Sequence, residues 1–483
     1  MPRVVAGVAG LNLVLLFVGY CVITPLLRGR SRRTWLTFAG VALLVGASLV
    51  GVALSAVAVA GLSTGPMAFA IASGAISLVG LLAARFVPAN WRARTRFREP
   101  VARRSASSLA VIASTVGAYG VAAMCALMLF AAFRSSPWLD DVWMFWLPKG
   151  IVLTHAGLDH RVFTRDPGYV QFNPDYPLWW SILTGLVMRF VGAVDLRAVD
   201  AQLALLVVAF FGASARLLWG SVRSWILWPT LLLLAASPEL LHQTQSGAAD
   251  LVLAVFIGLT VLTAVGWLMR GDAFFLVLVT VFGAAAASIK VEGAPQLIAL
   301  IAIPAALGWR KAARRIGALY ASILAALVLA APWFVWSRAH GVHGDFSVAR
   351  ALDPTYLAGR TARLGPSAHE IGLQLTDVRK WLVVVPALIG AAAIAAAAER
   401  RFLNLAPVLV LGVGYLFWLW IYWAGPVELT FWLQTSAYRV VDSLLLTAGV
   451  FLPLVVERVV RLSENRGLST AAPLALNRQK TRM

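Results

Sequence analysis

The sequence predicts an all-α integral membrane protein, and three observations support this fold class. First, 60% of the 483 residues are hydrophobic and only 13% are charged, against roughly 25% charged in soluble domains. Second, apolar runs recur along the whole chain at lengths near the ~20 residues that a helix needs to cross the hydrocarbon core. Third, the net charge of +20 comes from basic residues concentrated between these runs, which is typical of cytoplasmic loops and not of a nucleic-acid-binding surface.

The length rule predicts about 13–14 transmembrane helices. The mean hydropathy of +0.82 agrees with so many apolar segments. In chain order, the segments are 4–27, 35–60, 66–86, 107–134, 177–193, 201–218, 225–243, 248–269, 273–289, 291–309, 316–337, 381–398, 402–423 and 438–457.

Basic residues orient these segments, because Lys and Arg are enriched in cytoplasmic loops. They predict five cytoplasmic connections, at 28–33, 92–104, 310–315, 400–401 and in the tail from Arg458 onward. Counting from these connections places large loops on the outer side at 135–176 and 338–380. Three apolar segments then separate the first outer loop from Asp250, which also falls on the outer side. An odd number cannot return to the same side, so we expect 177–193, the shortest, not to cross.

An acidic pair stands out at the start of the first outer loop, in "SSPWLDDVWMFW". Asp140 and Asp141 lie among Trp138, Trp143 and Trp146, and tryptophan commonly anchors a helix at the membrane interface. Two adjacent carboxylates repel each other, so a general base, a metal ion or a cationic ligand would explain the pair. Alternatively, the two acids cap the positive end of an interfacial helix.

Further ionisable residues fall on the same predicted face, and such residues at membrane depth are functional candidates. Asp250 could also be a helix cap, and Arg439 could pair with Asp442 one turn on. The candidates are Asp175 in "FNPDYPLWW", His242 and Asp250 in "LHQTQSGAADLVLAVF", Lys290 and Glu292 in "SIKVEGAPQL", and Arg439 in "LQTSAYRVVD".

In this order, the features resemble the polytopic GT-C glycosyltransferases, a superfamily that includes protein O-mannosyltransferases, aminoarabinose transferases of lipid A, and actinobacterial arabinosyl- and mannosyltransferases. The resemblance is carried by "LDDVW", "PDYPLWW", "GAADLVLAVF", "KVEG" and "LQTSAYR", and it extends over about residues 107–457. It implies a GT-C-like bundle at 106–460 with interfacial helices in the first outer loop. Residues 1–105 would be an N-terminal extension of about three helices, and 461–483 a disordered, basic cytoplasmic tail.

The resemblance implies an enzyme of cell-envelope synthesis in the plasma membrane, with its active site facing outside. It would transfer a sugar, with inversion, from a polyprenyl-phosphate donor to a hydroxyl of a glycan, lipid or protein. Asp140 would be the base, and Asp141 would position that base or a metal ion. The donor phosphate would contact Lys290, Arg439 and Arg338; the acceptor or metal contacts would be Asp250, Glu292, Asp175 and His242.

A divalent cation (Mg²⁺, Mn²⁺ or Ca²⁺) is a further expectation, with Asp140 and Asp250 as its ligands. Relatives commonly carry a basic residue just before the re-entering segment, near "PP". The present sequence reads "NPDYP" there, with Asp175 in that position.

Three other functions fit the same residues. A transporter or flippase for a lipid-linked sugar would bind its substrate in the same charged pocket without reacting. An accessory subunit of an envelope-synthesis complex would retain a dead site. An O-antigen-ligase-type enzyme would use the basic residues of the second outer loop, namely Arg338, His340, His343, Arg350, Arg360, Arg363 and His369.

Overall fold

The computed structural model describes residues 1–27, 35–86, 107–158, 174–308, 313–344, 346–400 and 402–480. This part of the chain is all-helical and contains no β-strand. Nine of its helices are long and apolar enough to cross a membrane. The all-α, multi-pass membrane class that the sequence predicts is therefore confirmed. The basic clusters at 28–33 and 92–104, the outer-loop residues 159–173, and Arg310, Lys311 and Arg401 lie outside the described residues.

The described part of the chain contains twenty-one α-helices, and a π-helical turn at Val142–Trp146 precedes the fifth. They are α1 (Pro2–Ile23), α2 (Ala39–Val59), α3 (Pro66–Phe86), α4 (Ser108–Ala132), α5 (Leu147–His155), α6 (Trp179–Val191), α7 (Arg197–Leu218), α8 (Ser224–Ala235), α9 (Pro238–Gln243), α10 (Ala249–Arg270), α11 (Ala273–Ala287), α12 (Gly293–Gly308), α13 (Ala313–Ala339), α14 (Val348–Ala351), α15 (Pro354–Ala358), α16 (Leu364–Thr376), α17 (Val378–Trp381), α18 (Val384–Glu399), α19 (Ala406–Ala424), α20 (Leu429–Val440) and α21 (Asp442–Lys480).

Each of the fourteen predicted apolar segments contains a helix, but not all of these helices reach the length of a span. Nine meet that length within the described residues, while α6, α8, α11 and the apolar part of α12 are shorter. The remaining segment, α18, meets the length and hydropathy test together with the preceding helices 361–381, from which it is bent by 104°. In the described part of the chain, length and composition thus support nine or ten spans, fewer than the 13–14 of the sequence prediction.

Hydrogen bonds between helix ends show which ends lie together. Ser135, just after α4, donates to Asp200 in the first turn of α7 at 2.9 Å. Asp141, six residues after Ser135, forms an ion pair with Arg439, and Arg439 also pairs with Asp250 in the first turn of α10. The end of α4 and the beginnings of α7 and α10 therefore lie at one end of the bundle. We call it the acidic end, because Asp141, Asp200 and Asp250 lie there.

Helix α6 begins and ends near the acidic end. The Trp180 indole, in its first turn, donates to the Gly247 carbonyl just before α10 at 3.0 Å. Its last residue, Val191, is followed after a five-residue connection by α7. Thirteen residues rise only about 20 Å, and eleven of them are buried. Helix α6 therefore enters the bundle without running from end to end, as expected for 177–193.

The opposite end of the bundle is basic. Arg223 pairs with Glu457 at 3.3 Å and with Glu464 at 2.5 Å. Arg461 binds Glu457 and the Ser221 carbonyl. We call this the basic end. The sequence predicts that the side carrying Lys and Arg is cytoplasmic.

Small residues allow neighbouring helices to approach closely, which stabilises packing in a membrane. Between α1 and α2, a Cβ atom on Gly19 would come within 1.7 Å of the Ala42 carbonyl oxygen. Between α5 and α6, a Cβ atom on Gly150 would come within 2.2 Å of the Ser181 carbonyl oxygen. This contact fixes α5 on the helix that enters the acidic end.

The second outer loop contains the helices α14–α17. Arg363 donates to the carbonyls of Tyr422 and Val427 at 3.0 Å each, and Arg360 donates to the Gly425 carbonyl. These bonds attach the loop to the end of α19.

At the C-terminal end of the chain, the backbone of α21 continues to Lys480, where the sequence predicted a disordered tail.

Candidate functional site

Two carboxylates and two cations form a continuous chain at the acidic end. The Asp141 Oδ2 atom accepts from Arg439 Nη1 at 2.6 Å. The same Nη1 atom lies 3.7 Å from Asp250 Oδ2, and the other oxygen of Asp250 accepts from Lys290 Nζ at 2.8 Å. Asp250, Lys290 and Arg439 are each only 7% exposed. Residues 298 positions apart in the sequence are thus joined in one ionic cluster, which is buried except at Asp141, whose side chain is 34% exposed.

Each member of this ionic cluster lies where a helix begins or ends. Asp141 precedes the π-helical turn, and Asp250 is in the first turn of α10. Lys290 lies in the turn between α11 and α12, and Arg439 is in the last turn of α20. Asp141 makes no capping hydrogen bond through its side chain, and the N-cap of α10 is Ala248, not Asp250. Ion pairing, and not capping alone, therefore accounts for these carboxylates.

Tyr176 and Glu292 extend the cluster on the side of Lys290. The Lys290 ammonium lies 5.3 Å from the centre of the Tyr176 ring, and the Tyr176 hydroxyl donates to Glu292 Oε1 at 3.4 Å. Burial lowers the pKa of Lys290, but Asp250 and Glu292 outweigh it and hold the pKa above its ordinary value. Burial, followed by the charge of Glu292, raises the pKa of Tyr176. Both side chains therefore keep their protons at neutral pH.

Aromatic rings form a second border of the cluster. Trp138 stacks on His242 with ring centres 4.4 Å apart and on Tyr438 at 6.4 Å. The Trp138 indole also donates to the His242 carbonyl at 3.3 Å. Trp138 is 38% exposed, so its ring combines an interfacial position with contacts to two segments of the site. His242 itself approaches Glu239 at 3.6 Å and makes no contact with the four members of the ionic cluster.

Asp140 differs from its neighbour. Its side chain is exposed, and it has neither a hydrogen bond nor an ion pair within the part of the chain that is described. Asp141 is committed to Arg439, so the acidic pair divides into one bound and one available carboxylate. Arg338 is also exposed, at the end of α13. Its side chain makes no contact with the ionic cluster, so the structure does not bring this predicted phosphate ligand to the site.

Lys149 is a site residue that the sequence analysis missed. It is 1% exposed and donates to the carbonyls of Pro174 and Tyr176 at 3.3 and 3.1 Å. Its ammonium also lies 5.8 Å from the centre of the Trp333 ring. Burial lowers its pKa to about 7, against the opposing charge of Asp175. The lone lysine in the apolar run "MFWLPKGIVL" was the available signal.

Asp175 lies at the edge of the site, beside Lys149. The backbone carbonyl of Asp175 accepts from the Trp333 indole at 2.8 Å. Its carboxylate lies against Gly344, where an added Cβ atom would come within 2.3 Å of Oδ1. Lys149 supplies a positive charge next to Asp175 from a different segment of the chain. It therefore holds the residues around Asp175 in place.

The ion pairs of Arg439 and Asp250 bear on the predicted partner of Arg439 and on the predicted metal site. Arg439 pairs with Asp141 and Asp250, whereas neither oxygen of Asp442 has a hydrogen-bond partner among the described residues. The expected divalent cation does not fit at Asp140 and Asp250, because both oxygens of Asp250 face cations. No group of three or more His, Cys, Asp or Glu side chains in the described ranges could hold a metal.

Arg439 retains hydrogen-bonding capacity for an anion. It contacts both carboxylates through Nη1, and its buried Nε has no partner within the described ranges. A guanidinium presents its donors in a fixed planar fork that suits phosphate or carboxylate oxygens. The arrangement can therefore bind an anion beside an available carboxylate.

In comparisons with known proteins, no family model, no curated protein and no solved structure matches this chain.

Proposed function

We propose that the protein is a membrane glycosyltransferase of GT-C type. It transfers a sugar from a polyprenyl-phosphate donor to a hydroxyl group of a glycan, lipid or protein acceptor. The observation that carries this proposal is the division of the acidic pair. Asp140 is exposed and available, while Asp141 is bound in an ionic cluster that contains two buried cations. A transferase needs both parts: a base for the acceptor and positive charge for the leaving phosphate.

Asp140 is the proposed general base. The acceptor oxygen attacks the anomeric carbon of the sugar on the face opposite the phosphate, and its proton passes to the Asp140 carboxylate. The bond between the anomeric carbon and the phosphate oxygen breaks, and the lipid phosphate leaves with the electron pair. A single displacement of this kind inverts the anomeric configuration. A positioned base contributes about 10²–10⁴-fold to such a reaction.

Arg439 and Lys290 are proposed to stabilise the leaving lipid phosphate, whose negative charge increases as the bond breaks. Asp141 and Asp250 hold the two cations in place. The two carboxylates already neutralise much of the positive charge of Arg439 and Lys290. The site would therefore bind the phosphate most strongly when the second negative charge of the phosphate develops in the transition state. Tyr176 and Glu292 support Lys290 from the other side.

The distribution of charge supports an outward-facing site in the plasma membrane. Arg223, Arg458 and Arg461 lie at the basic end, and the sequence assigns the loops and tail on this side to the cytoplasm by the positive-inside rule. The cluster lies at the other end of the bundle. A lipid-linked donor in the outer leaflet would have its phosphate at this depth, and envelope acceptors would approach from outside.

Neighbouring substitutions separate the proposed roles. Asp140→Asn should lower the kcat of transfer from a radiolabelled polyprenyl-phosphate sugar by about 10²-fold or more, with an almost unchanged KM for the donor. Asp141→Asn is the matched control, since it removes the same charge one residue along. Asp141→Asn removes the ion pair with Arg439, so it should change the affinity for the polyprenyl-phosphate sugar more than kcat. Turnover by Asp140→Asn close to that of the wild type would contradict the assignment of the base.

A transporter of lipid-linked sugars is the second candidate, and one observation favours it. The helices 361–381 and α18 are bent by 104° at their junction, and interrupted helices are common at transporter binding sites. At the bend, Leu382 has a φ of +53°, a conformation that costs a bulky residue about 1–3 kcal/mol. A transporter would move the intact lipid-linked sugar between leaflets without consuming it.

A further inference from the structure

Asp442 is a buried acid without a partner. It is fully inaccessible to solvent, and neither carboxylate oxygen has a hydrogen bond in the described part of the chain. It opens α21, one turn after Arg439, whose Nε is also buried and unpartnered. Asp442 therefore contributes unpaired hydrogen-bond acceptors, and Arg439 an unpaired hydrogen-bond donor, on neighbouring turns of the chain.

A buried carboxyl group such as that of Asp442 destabilises the fold unless it accepts hydrogen bonds. Burying a polar group without a hydrogen bond costs several kcal/mol on transfer scales, and buried polar atoms in native proteins are nearly all paired. Asp442 lies within electrostatic range of Arg439 and Lys380, but also of Asp250 and Glu239. The neighbouring charges oppose one another, so they do not replace the missing hydrogen bonds.

A second unpartnered acceptor lies on α9. Gln243 is fully buried, and its Nε2 donates to Glu239 Oε1 at 2.9 Å, while its own Oε1 has no partner within the described ranges. Glu239 is one of the acids in electrostatic range of Asp442. Trp138 stacks on His242, the residue before Gln243, and on Tyr438, four residues before Asp442. Acceptors from two separate helices thus border the same region next to the cluster. What they lack is a donor of hydrogen bonds.

We infer that the Asp442 carboxylate and the Gln243 amide oxygen form a subsite that accepts hydrogen bonds from sugar hydroxyl groups. This inference rests on the proposed function and identifies where the sugar of the donor would lie. One bridging oxygen joins a sugar to its phosphate. A phosphate held at the free face of Arg439 would therefore place the sugar within a few ångströms, at the level of the next turn. A hydroxyl group supplies the missing donor without adding charge.

Binding measurements on the full-length protein in lipid nanodiscs test the inference. The probes are undecaprenyl phosphate and its mannosyl, glucosyl and arabinosyl conjugates. For the wild type, at least one conjugate should bind more tightly than undecaprenyl phosphate. Asp442→Ala should weaken binding of that conjugate by about two- to tenfold, the effect of losing one hydrogen bond. Its affinity for undecaprenyl phosphate should stay close to that of the wild type.

Two further variants keep the test decisive if folding suffers. Asp442→Asn retains the size of the side chain and one acceptor, so it should lose less of the preference for the conjugate than Asp442→Ala. Asp200→Ala is the matched control, because Asp200 is also fully buried but accepts from Ser135. It should retain the wild-type preference. The inference would be overturned if Asp442→Ala still preferred the conjugate over undecaprenyl phosphate as strongly as the wild type does. It would also be overturned if the wild type bound all four lipids equally.

The outcome is separable from that of the proposed function. If the wild type forms a glycoside but Asp442→Ala retains the preference, the transferase proposal stands and the sugar subsite is wrong. If the wild type binds a conjugate through Asp442 but forms no glycoside, the subsite stands and the transferase proposal fails.

Discussion

The ion pair between Lys290 and Asp250 allows the geometry of the site to be tested without any substrate. Its two atoms are 2.8 Å apart, and both side chains are almost inaccessible. At an effective dielectric constant of about 20, charges at this distance attract by roughly 6 kcal/mol before desolvation is subtracted. Removing one partner of a buried pair typically costs about 3–5 kcal/mol, because the other charge remains buried.

The cost for Lys290→Met should lie near the lower end of this range, at about 3 kcal/mol. Asp250 keeps Arg439 at 3.7 Å, which limits the loss. The double variant Lys290→Met/Asp250→Asn leaves no unpaired charge at this pair and should recover much of the stability. We therefore expect a coupling free energy of about 2 kcal/mol or more between the two substitutions.

Equilibrium unfolding in mixed dodecylmaltoside and dodecyl sulfate micelles, followed by tryptophan fluorescence, measures the four free energies of this cycle. The partly exposed pair Asp195–Arg197, with a separation of 2.6 Å, is the matched control. Solvent screening should make its coupling small. If the effects of Lys290→Met and Asp250→Asn are additive, the two side chains do not meet, and the arrangement of the cluster is refuted.

Two further predictions concern α5, which holds Lys149. The pKa of Lys149 falls from 10.5 to about 7 on folding, so the unfolded chain binds the extra proton between these values. In thermal unfolding, the free energy of unfolding of the wild type should therefore increase relative to that of Lys149→Met as pH rises from 7 towards 10, by up to ~1.4 kcal/mol per pH unit. A difference in stability that does not change with pH would contradict this pKa shift. Gly150→Ala places a Cβ atom against the Ser181 carbonyl and should destabilise the protein by about 1–3 kcal/mol. Gly390→Ala, where nothing lies within 4 Å, should be neutral or stabilising in the same unfolding assay, and equal effects of the two glycine substitutions would contradict this packing.

The sequence predicts the helices well because a hydrocarbon core imposes a length that apolar runs must match. The loop charges also predict that one of three apolar segments does not cross, since the number of crossings between two outer loops must be even. Its short length singles out 177–193. The lengths of α6, α8 and α11 are harder to predict. A short apolar helix buried among others and a short span have the same composition, so hydropathy alone does not separate them.

The charged residues of the site are visible in the sequence, but their pairing is not. Local spacing favours Arg439 with Asp442, one turn away, whereas the structure pairs Arg439 with Asp141 and Asp250. Which carboxylate meets the arginine depends on how distant helix ends pack, and no local pattern reports that. Lys149 was missed for a related reason. A single lysine in an apolar run gains its role from carbonyl groups about 25 residues away.

Product analysis tests the central claim of sugar transfer most directly. Wild-type protein in proteoliposomes would receive a panel of isotopically labelled polyprenyl-phosphate sugars together with candidate glycan, lipid and protein acceptors, and mass spectrometry and NMR would identify the labelled products. The claim predicts free polyprenyl phosphate and a new glycoside whose anomeric configuration is opposite to that of the donor. Labelled lipid-linked sugar that only changes leaflet, and is recovered intact, would contradict it.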